Sequence, residues 1–422
     1  MYNPVIRTAV WFDDQYAVQP GRLLAAMGAE DRRRNVFAAT ILSIPTCRKV
    51  SDRIVDTMRI AVLGASGFVG GHTLRFLRES GIEARAVVRN PQSLPNDPDR
   101  DVADVCDVYA LRHAFRGCDA VVHAALGTDH VIVASVAPVY AAAQAVGVYR
   151  LVYISTGSVH GQSPAPGTDE TSPLHVRHAF AYNNAKVRAE RKLRWLRGRG
   201  TVELVMLRPT IVFGPGSRWV FDFARALWAG TACVVDGARG ICNSIYVDNL
   251  GHAVMLALTR PNVDGHAFLV GDRETVTWRD LYRPIANALG FDFDAVPSVS
   301  PPVVTPSFKE RYIQPVRTAE ATRWLLSNIP APVKIEAKRK IRMLLRVAVP
   351  SRGDGPHAAN QQSAGAATPS LITPEIAALH RCQWRLPNDK AVRLLGYDPP
   401  VTFAEGCRHS INWLLTQSPA RT

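Results

Sequence analysis

The chain has 422 residues, 47% of them apolar, enough for one large or two ordinary domains around a packed core. It has no uninterrupted apolar run of about 18 residues, which excludes a spanning helix, and no compact apolar stretch ahead of a small-residue cleavage site. The formal charge is +14, but more than half of that excess lies between Pro301 and Arg352, where eleven Lys/Arg oppose three Glu. That points to a local anionic partner and away from a nucleic-acid-binding protein. Seven cysteines, an odd number without a C-x-x-C pair, fit reduced thiols in a cytoplasmic protein; neither a disulfide framework nor a metal site is expected.

Residues 1–57 hold the cluster Asp31-Arg32-Arg33-Arg34 and show no strand or helix periodicity. They read as a disordered leader, or Met58 is the true start. A strand at 59–63 then leads into Gly64, Gly67 and Gly70, a helical pattern at 71–77 and a second strand at 83–88. Strand, glycine turn and helix in that order are what a dinucleotide site needs. Gly64 permits the tight turn, Gly67 lets the backbone approach a pyrophosphate, and Gly70 lets the helix pack on the strand. Further strands are expected at 120–123, 151–155 and 202–207, and helices at 140–147 and 185–197. This alternation predicts an α/β fold, a doubly wound parallel sheet with helices on both faces.

After Phe213 the rhythm loosens. Short strands are expected at 245–247 and 267–270, and a helix at 278–289. Residues 351–370 are rich in Gly, Ala, Ser, Gln and Pro and read as a linker. Helices at 388–395, stopped by Gly396, and at 403–415 complete the chain. The expected division is a leader at 1–57, a nucleotide-binding domain at 58–212, a smaller C-terminal substrate-binding portion from 213–300 and 371–422, and a basic insert with linker at 301–370.

Two groups carry chemistry. Ser155 and Thr156 place hydroxyls at the C-terminal end of a central strand, the edge where open α/β sheets bind ligands. Tyr182 and Lys186 stand four apart, on one face of a helix. A lysine there can lower the phenol pKa, which tyrosine needs to act as a base near neutral pH.

The residues resemble those of extended short-chain dehydrogenases/reductases, the NAD(P)-dependent epimerase/dehydratase family. The matching motifs are Gly64-Ala-Ser66-Gly67-Phe68-Val69-Gly70, Asp104-Val105-Cys-Asp107, Asp119-Ala-Val-Val-His-Ala124-Ala125, Tyr153-Ile-Ser-Thr-Gly-Ser-Val-His-Gly161, Tyr182-Asn-Asn-Ala-Lys186, Leu207-Arg-Pro209-Thr-Ile211-Val-Phe-Gly-Pro-Gly216, Tyr246-Val-Asp-Asn-Leu250 and Lys390-Ala-Val-Arg-Leu-Leu-Gly-Tyr397. The resemblance implies Tyr182 as general acid/base. Lys186 would hold the nicotinamide ribose and tune Tyr182, and Thr156 would hydrogen-bond the reacting oxygen. It further implies cofactor contacts at Gly64, Ser66, Gly67, Phe68, Val69 and Gly70 in the turn, Asp104 and Val105 at the adenine, Ala124 and Ala125 along the cofactor, and Pro209 and Ile211 near the nicotinamide. At the end of the second strand, Arg89 stands where an acid would favour NAD; a guanidinium there can pair with a 2′-phosphate, so NADP is expected, with NAD the alternative.

Departures from the family pattern narrow the substrate. Thr156 is followed by Gly157 and Ser158, without the acid pair that sugar 4,6-dehydratases use. Cys242 and Asn243 occupy the neighbourhood where nucleotide-sugar enzymes commonly carry a diphosphate-binding arginine; Arg218 and Arg239 are the substitutes at hand. The loop after Ala125 is short, and Ile132 takes the place of a usual asparagine. His160 replaces a usual tyrosine and reads as a packing change. In 334–348, Ile341, Leu344, Leu345 and Ala348 oppose Arg339, Arg342 and Arg346. A basic amphipathic helix of this kind can lie on an anionic membrane surface or cover the substrate portion.

The expected function is hydride transfer on a carbinol or carbonyl of a small-molecule substrate, first of all a sugar or nucleotide sugar. The alternatives are a 3β-hydroxysteroid-dehydrogenase-like enzyme on a sterol or lipid alcohol, and a non-catalytic NADP sensor or scaffold. The expected location is cytoplasmic, with peripheral contact at the inner face of a membrane through 334–348 as a further option. Homodimerisation is a common habit of the family.

Overall fold

The computed structural model describes residues 58–300 and 372–417. The leader at 1–57 and the insert at 301–370, including the stretch at 334–348, lie outside the described residues.

The run Ile60-Ala-Val-Leu63 is apolar toward both faces, and such a strand is satisfied only inside a sheet covered on both sides. It forms β1 (Arg59–Leu63), followed by α1 (Phe68–Glu79), β2 (Glu83–Val88), β3 (Arg100–Val102) and α2 (Val108–Ala114). Next come β4 (Ala120–His123), α3 (Asp129–Ala134), α4 (Val136–Ala145), β5 (Arg150–Ile154), α5 (Ala181–Arg197) and β6 (Glu203–Pro209). The following elements are β7 (Ile211–Phe213), α6 (Arg218–Trp228), β8 (Ser244–Tyr246), α7 (Val247–Thr259), β9 (Ala267–Val270) and α8 (Trp278–Ala288). The last described segment holds α9 (Pro374–His380), α10 (Asp389–Leu395) and α11 (Phe403–Thr416).

Seven strands make one parallel sheet in the order β9-β6-β5-β4-β1-β2-β3. Ile60 pairs with Ala84 on one side and with Ala120 on the other, so the strand order reverses at β1. Open α/β sheets bind ligands at the carboxyl ends of the strands beside such a reversal. Alternate residues feed two cores. Ile60, Val62, Val122, Val152 and Leu207 face α1 and α7; Ala61, Leu63, Val121, Leu151 and Met206 face α2, α4 and α5. Each fully buried aliphatic side chain contributes about 1.5–3 kcal/mol before the entropy cost of ordering it.

A third core, with Phe213, Phe223, Trp278, Tyr282, Phe403 and Leu414, joins α6, α8 and α11. Phe223 and Tyr282 stack there at 4.1 Å. Among the described residues no helix is long and apolar enough to cross a membrane.

The doubly wound sheet is as expected, and the differences are local. The strand expected at 151–155 starts at Arg150, whose guanidinium is buried and bonded to Glu203 and to the carbonyls of Ala257, Leu258 and Arg260. Hydropathy alone reads that residue as exposed. The helix expected from 185 begins at Ala181, which places Tyr182 in its first turn. The helix expected from 140 begins at Val136, because Pro138 is tolerated in a first turn.

Candidate active site

The turn after β1 is built by exclusion of side chains. Gly64 has φ +78°, and a Cβ on it would meet the Ala125 backbone at 2.6 Å. A Cβ on Gly70 would lie 2.1 Å from the Gly64 carbonyl, so only glycine lets α1 sit on the turn. The Gly67 amide donates to Gly64 O at 2.9 Å. Gly67 caps α1 without a side-chain hydrogen bond, and the first helical turn carries no acid. The amides there point outward with no side chain competing for them, and the helix dipole favours an anion in front of them. The cradle fits a dinucleotide pyrophosphate.

The other expected cofactor residues line the same sheet edge. The Ala124 amide donates to Leu63 O, which holds Ala124 and Ala125 against the turn. Ser66 is half-buried. Phe68 meets His72 edge to face at 5.1 Å, and Val69 packs on the first core. Arg89 follows β2 and is exposed. Asp104 is exposed and accepts from the Cys106 amide at 2.8 Å, which fixes a turn beside half-buried Val105. Pro209 ends β6 and is buried, as is Ile211 in β7.

Thr156, Tyr182 and Lys186 come together at the ends of β5 and α5. Thr156 Oγ1 accepts from the Ser158 amide at 3.2 Å, and the Thr156 hydroxyl acts on the Tyr182 phenol. Lys186 is buried and donates to Ile154 O at 2.8 Å and to the Tyr153 hydroxyl at 3.4 Å. Burial pulls its ammonium down to about 7, against the charge of Glu190. The Tyr182 phenol is pushed up by burial, although the Thr156 hydroxyl works the other way. The sequence spacing predicts a phenol lowered by Lys186. Lys186 instead reaches down to the β5 carbonyl, and desolvation is the largest effect on both groups.

Beneath these groups lies a buried network that the sequence reading missed. Ser155 Oγ donates to Glu190 Oε1 at 2.6 Å. Arg208 on β6 grips Glu190 with two bonds, 3.0 Å to Oε1 and 2.7 Å to Oε2. His160 Nε2 lies 3.1 Å from Arg208, so the residue expected only to pack is a member of the network. Glu190 follows Lys186 by four residues, and Arg208 lies inside the Leu207–Gly216 motif; those two spacings were the available signal.

A cleft opens beside Gly157 and Ser158, lined by Ile211, Ile241, Trp278, Leu379 and Leu386 together with the polar side chains of Gln162, Thr210 and Asn243. Asn243 Nδ2 donates to Trp384 O at 3.0 Å and its Oδ1 accepts from the Leu386 amide at 2.8 Å, so its side chain is spent holding the C-terminal segment. Arg218 pairs with Asp222 one helical turn away, and Arg239 is exposed. Ile132 is buried in α3.

A profile of the NAD dependent epimerase/dehydratase family matches residues 60–271. A 3-beta-hydroxysteroid dehydrogenase of Mycolicibacterium neoaurum is 30% identical over 262 residues, covering 56% of this chain and 71% of that protein. A UDP-glucose 4-epimerase of Vibrio cholerae is 25% identical, covering 54% of this chain and 75% of that protein. The structure of DesIV, a dTDP-glucose 4,6-dehydratase from Streptomyces venezuelae solved with NAD bound, superposes with a TM-score of 0.60 at 20% identity, over 85% of this chain and 97% of that one. The fold and the length of the family match together establish that the chain belongs to the NAD dependent epimerase/dehydratase family and is an enzyme of that nicotinamide-dependent kind.

Proposed function

We propose that the chain is an oxidoreductase that interconverts a secondary alcohol and a ketone on an uncharged, largely apolar substrate such as a sterol or lipid alcohol. The dinucleotide, when bound, supplies or accepts the hydride. Gly64, Gly67 and the first turn of α1 would hold its pyrophosphate, Ala124 and Ala125 its length, Asp104 and Val105 its adenine, and Pro209 and Ile211 its nicotinamide end. Tyr182 gives its phenolic proton to the carbonyl oxygen during reduction and takes the hydroxyl proton during oxidation; solvent restores the balance. Thr156 hydrogen-bonds the same oxygen and fixes its position. Lys186 anchors α5 to β5 and would meet the nicotinamide ribose.

The observation that carries the substrate class is the use of Asn243. A diphosphate substrate needs a guanidinium clamp in that region. Here the side chain is committed to Trp384 and Leu386, Arg385 beside it donates to the carbonyls of Asp272 and Arg273, and apolar side chains make up most of the neighbouring cleft. Similarity to the 3-beta-hydroxysteroid dehydrogenase supports the same reading. Similarity to the UDP-glucose 4-epimerase supports a second reading, a sugar or nucleotide-sugar substrate. Incubation with NADPH and a 3-oxosteroid, and separately with UDP-glucose, distinguishes them; ketone-dependent loss of 340 nm absorbance supports the first and formation of UDP-galactose the second. Binding of cofactor without turnover of any ketone, alcohol or sugar would overturn both readings.

Arg89 at the end of β2, where no carboxylate stands, supports NADP over NAD.

A further inference from the structure

The residue between Pro209 and Ile211 carries a hydroxyl that the proposed reaction does not use. Thr210 Oγ1 is buried and makes no hydrogen bond among the described residues. It borders a hollow of about 240 Å³ beside the cleft, which Gly271, Asp272, Glu274 and Arg385 also line. A Cβ built on Gly271 would stand 3.7 Å from Thr210 Oγ1, so the hydroxyl lies over the bare backbone of that glycine. Thr210, Ile241, Asn243 and Leu386 line hollow and cleft alike, which makes the two continuous. A Cβ on Gly157, the residue after Thr156, would lie 3.2 Å from Thr210 Cγ2, so the hollow begins close to the reaction centre.

Glu274 supplies the complementary group. Its Oε1 accepts from the Phe403 amide at 3.1 Å, at the start of α11, and that bond fixes the carboxylate. Its Oε2 is buried and, like Thr210 Oγ1, has no partner among the described residues. The other two charged groups of the hollow are engaged. Asp272 accepts from Ser244 Oγ, the Tyr246 amide and Asn249 Nδ2, each at 2.8 Å, and Arg385 Nη2 donates to the carbonyls of Asp272 and Arg273. A buried polar atom costs free energy unless it is hydrogen-bonded, so two of them on one hollow mark a place for a polar group. An ammonium there would meet the Arg385 guanidinium, and an anion would meet Glu274. A neutral hydroxyl avoids both, and it can donate to a carboxylate while accepting from a hydroxyl. The hollow is also smaller than the roughly 300–1,000 Å³ of a site for a whole small molecule, so it suits one functional group.

We propose that this hollow is a subsite for a substrate hydroxyl other than the one that reacts: Glu274 Oε2 accepts its hydrogen bond, Thr210 Oγ1 donates to its oxygen, and the hydrocarbon lies along the apolar side of the cleft. The substrate class is then a hydroxylated, otherwise apolar ketone or alcohol. This deepens the reading of an apolar alcohol or ketone substrate and rests on it. Neither residue exchanges a proton with the substrate; they select it and set how it lies.

The test reads binding without turnover. Full-length protein saturated with oxidised cofactor, which cannot reduce a ketone, is titrated with androstan-3-one and with its 6β-, 11β-, 16α- and 17β-hydroxy derivatives. Quenching of tryptophan fluorescence reports binding, since Trp278 lines the cleft. One hydroxy ketone is expected to bind about tenfold or more tighter than the parent, the effect of a hydrogen bond to a charged group. Glu274→Gln and Thr210→Val should each shrink that preference several-fold. Gly271→Ala, at a position without positive φ, puts a methyl into the hollow and should abolish it. Binding of the parent ketone reports whether each variant keeps its cleft. Equal affinity for the parent and every hydroxy ketone would mean that an ordered water only fills the hollow, and a preference that survives both Glu274→Gln and Thr210→Val would put the hydroxyl elsewhere; either result overturns the proposal. A hydroxy ketone that binds with the expected preference but is not reduced when NADPH is supplied would leave the subsite standing and remove the oxidoreductase reading. Binding of none of these ketones, with cofactor bound, would overturn both.

Discussion

Ser155 Oγ and Glu190 Oε1 lie 2.6 Å apart in the buried interior, one residue before Thr156 and one helical turn after Lys186. This bond, with the two from Arg208, ties the end of β5, the helix of Tyr182 and β6 into one unit. The ion pair is inaccessible to water, with Arg208 1% and Glu190 0% exposed at the side chain. Breaking such a pair leaves an uncompensated buried charge. Glu190→Gln should therefore cost about 3–5 kcal/mol in a urea denaturation series. A loss within experimental error would show that Arg208 finds another partner.

The glycine turn makes a steric prediction. Gly70→Ala places a methyl 2.1 Å from the Gly64 carbonyl, a backbone atom that cannot rotate away. The helix must lift from the turn, at a cost of about 1–3 kcal/mol or more. Nicotinamide fluorescence should show weakened binding of NADPH and NADH alike, while Gly198→Ala, whose Cβ would meet only ordinary contacts at 3.6 Å and beyond, should bind normally.

Arg89 separates the two dinucleotides. Arg89→Ala should weaken NADPH about tenfold or more, since a hydrogen bond to a charged group is worth roughly 1.5–3 kcal/mol, and should leave NADH little changed. Equal loss for both would assign Arg89 a structural task.

Acid should destabilise the fold through its buried histidines. Burial holds His123 and His380 down to about 3, and His160 and His178 down to about 4. Unfolded histidine protonates near its usual value of 6.5, so between that pH and about 4 the unfolded chain binds more protons than the folded one. Stability from these groups is present above pH 6.5 and is lost as the pH falls toward the folded values. Thermal melts should shift downward over that interval, and His380→Phe, in a pocket beside Trp278, should flatten the shift.

The sheet was legible because its code is local: apolar runs, glycine spacing and the strand–helix alternation all belong to short windows. Strands at 59–63, 83–88, 120–123 and 267–270 appear with the bounds expected of them. The helix stop at Gly396 was equally readable, and its φ is +69°. Arg150 and Glu190 were opaque because charged side chains read as surface until their partners, 53 and 18 residues away, are known. Two-residue strands such as Val234–Val235 carry no period to detect. Glu375 is joined to Gln162 across 213 residues, and no local pattern announces such a meeting.

The central claim is that Tyr182 moves the proton while an uncharged ketone is reduced. The most direct measurement is the rate of NADPH oxidation at 340 nm with a 3-oxosteroid, comparing wild type with Tyr182→Phe at equal cofactor saturation. A positioned acid contributes about 10²–10⁴-fold, so the variant should bind NADPH normally and lose at least that share of kcat. Ketone turnover that survives the substitution, or turnover confined to UDP-glucose, would contradict the account.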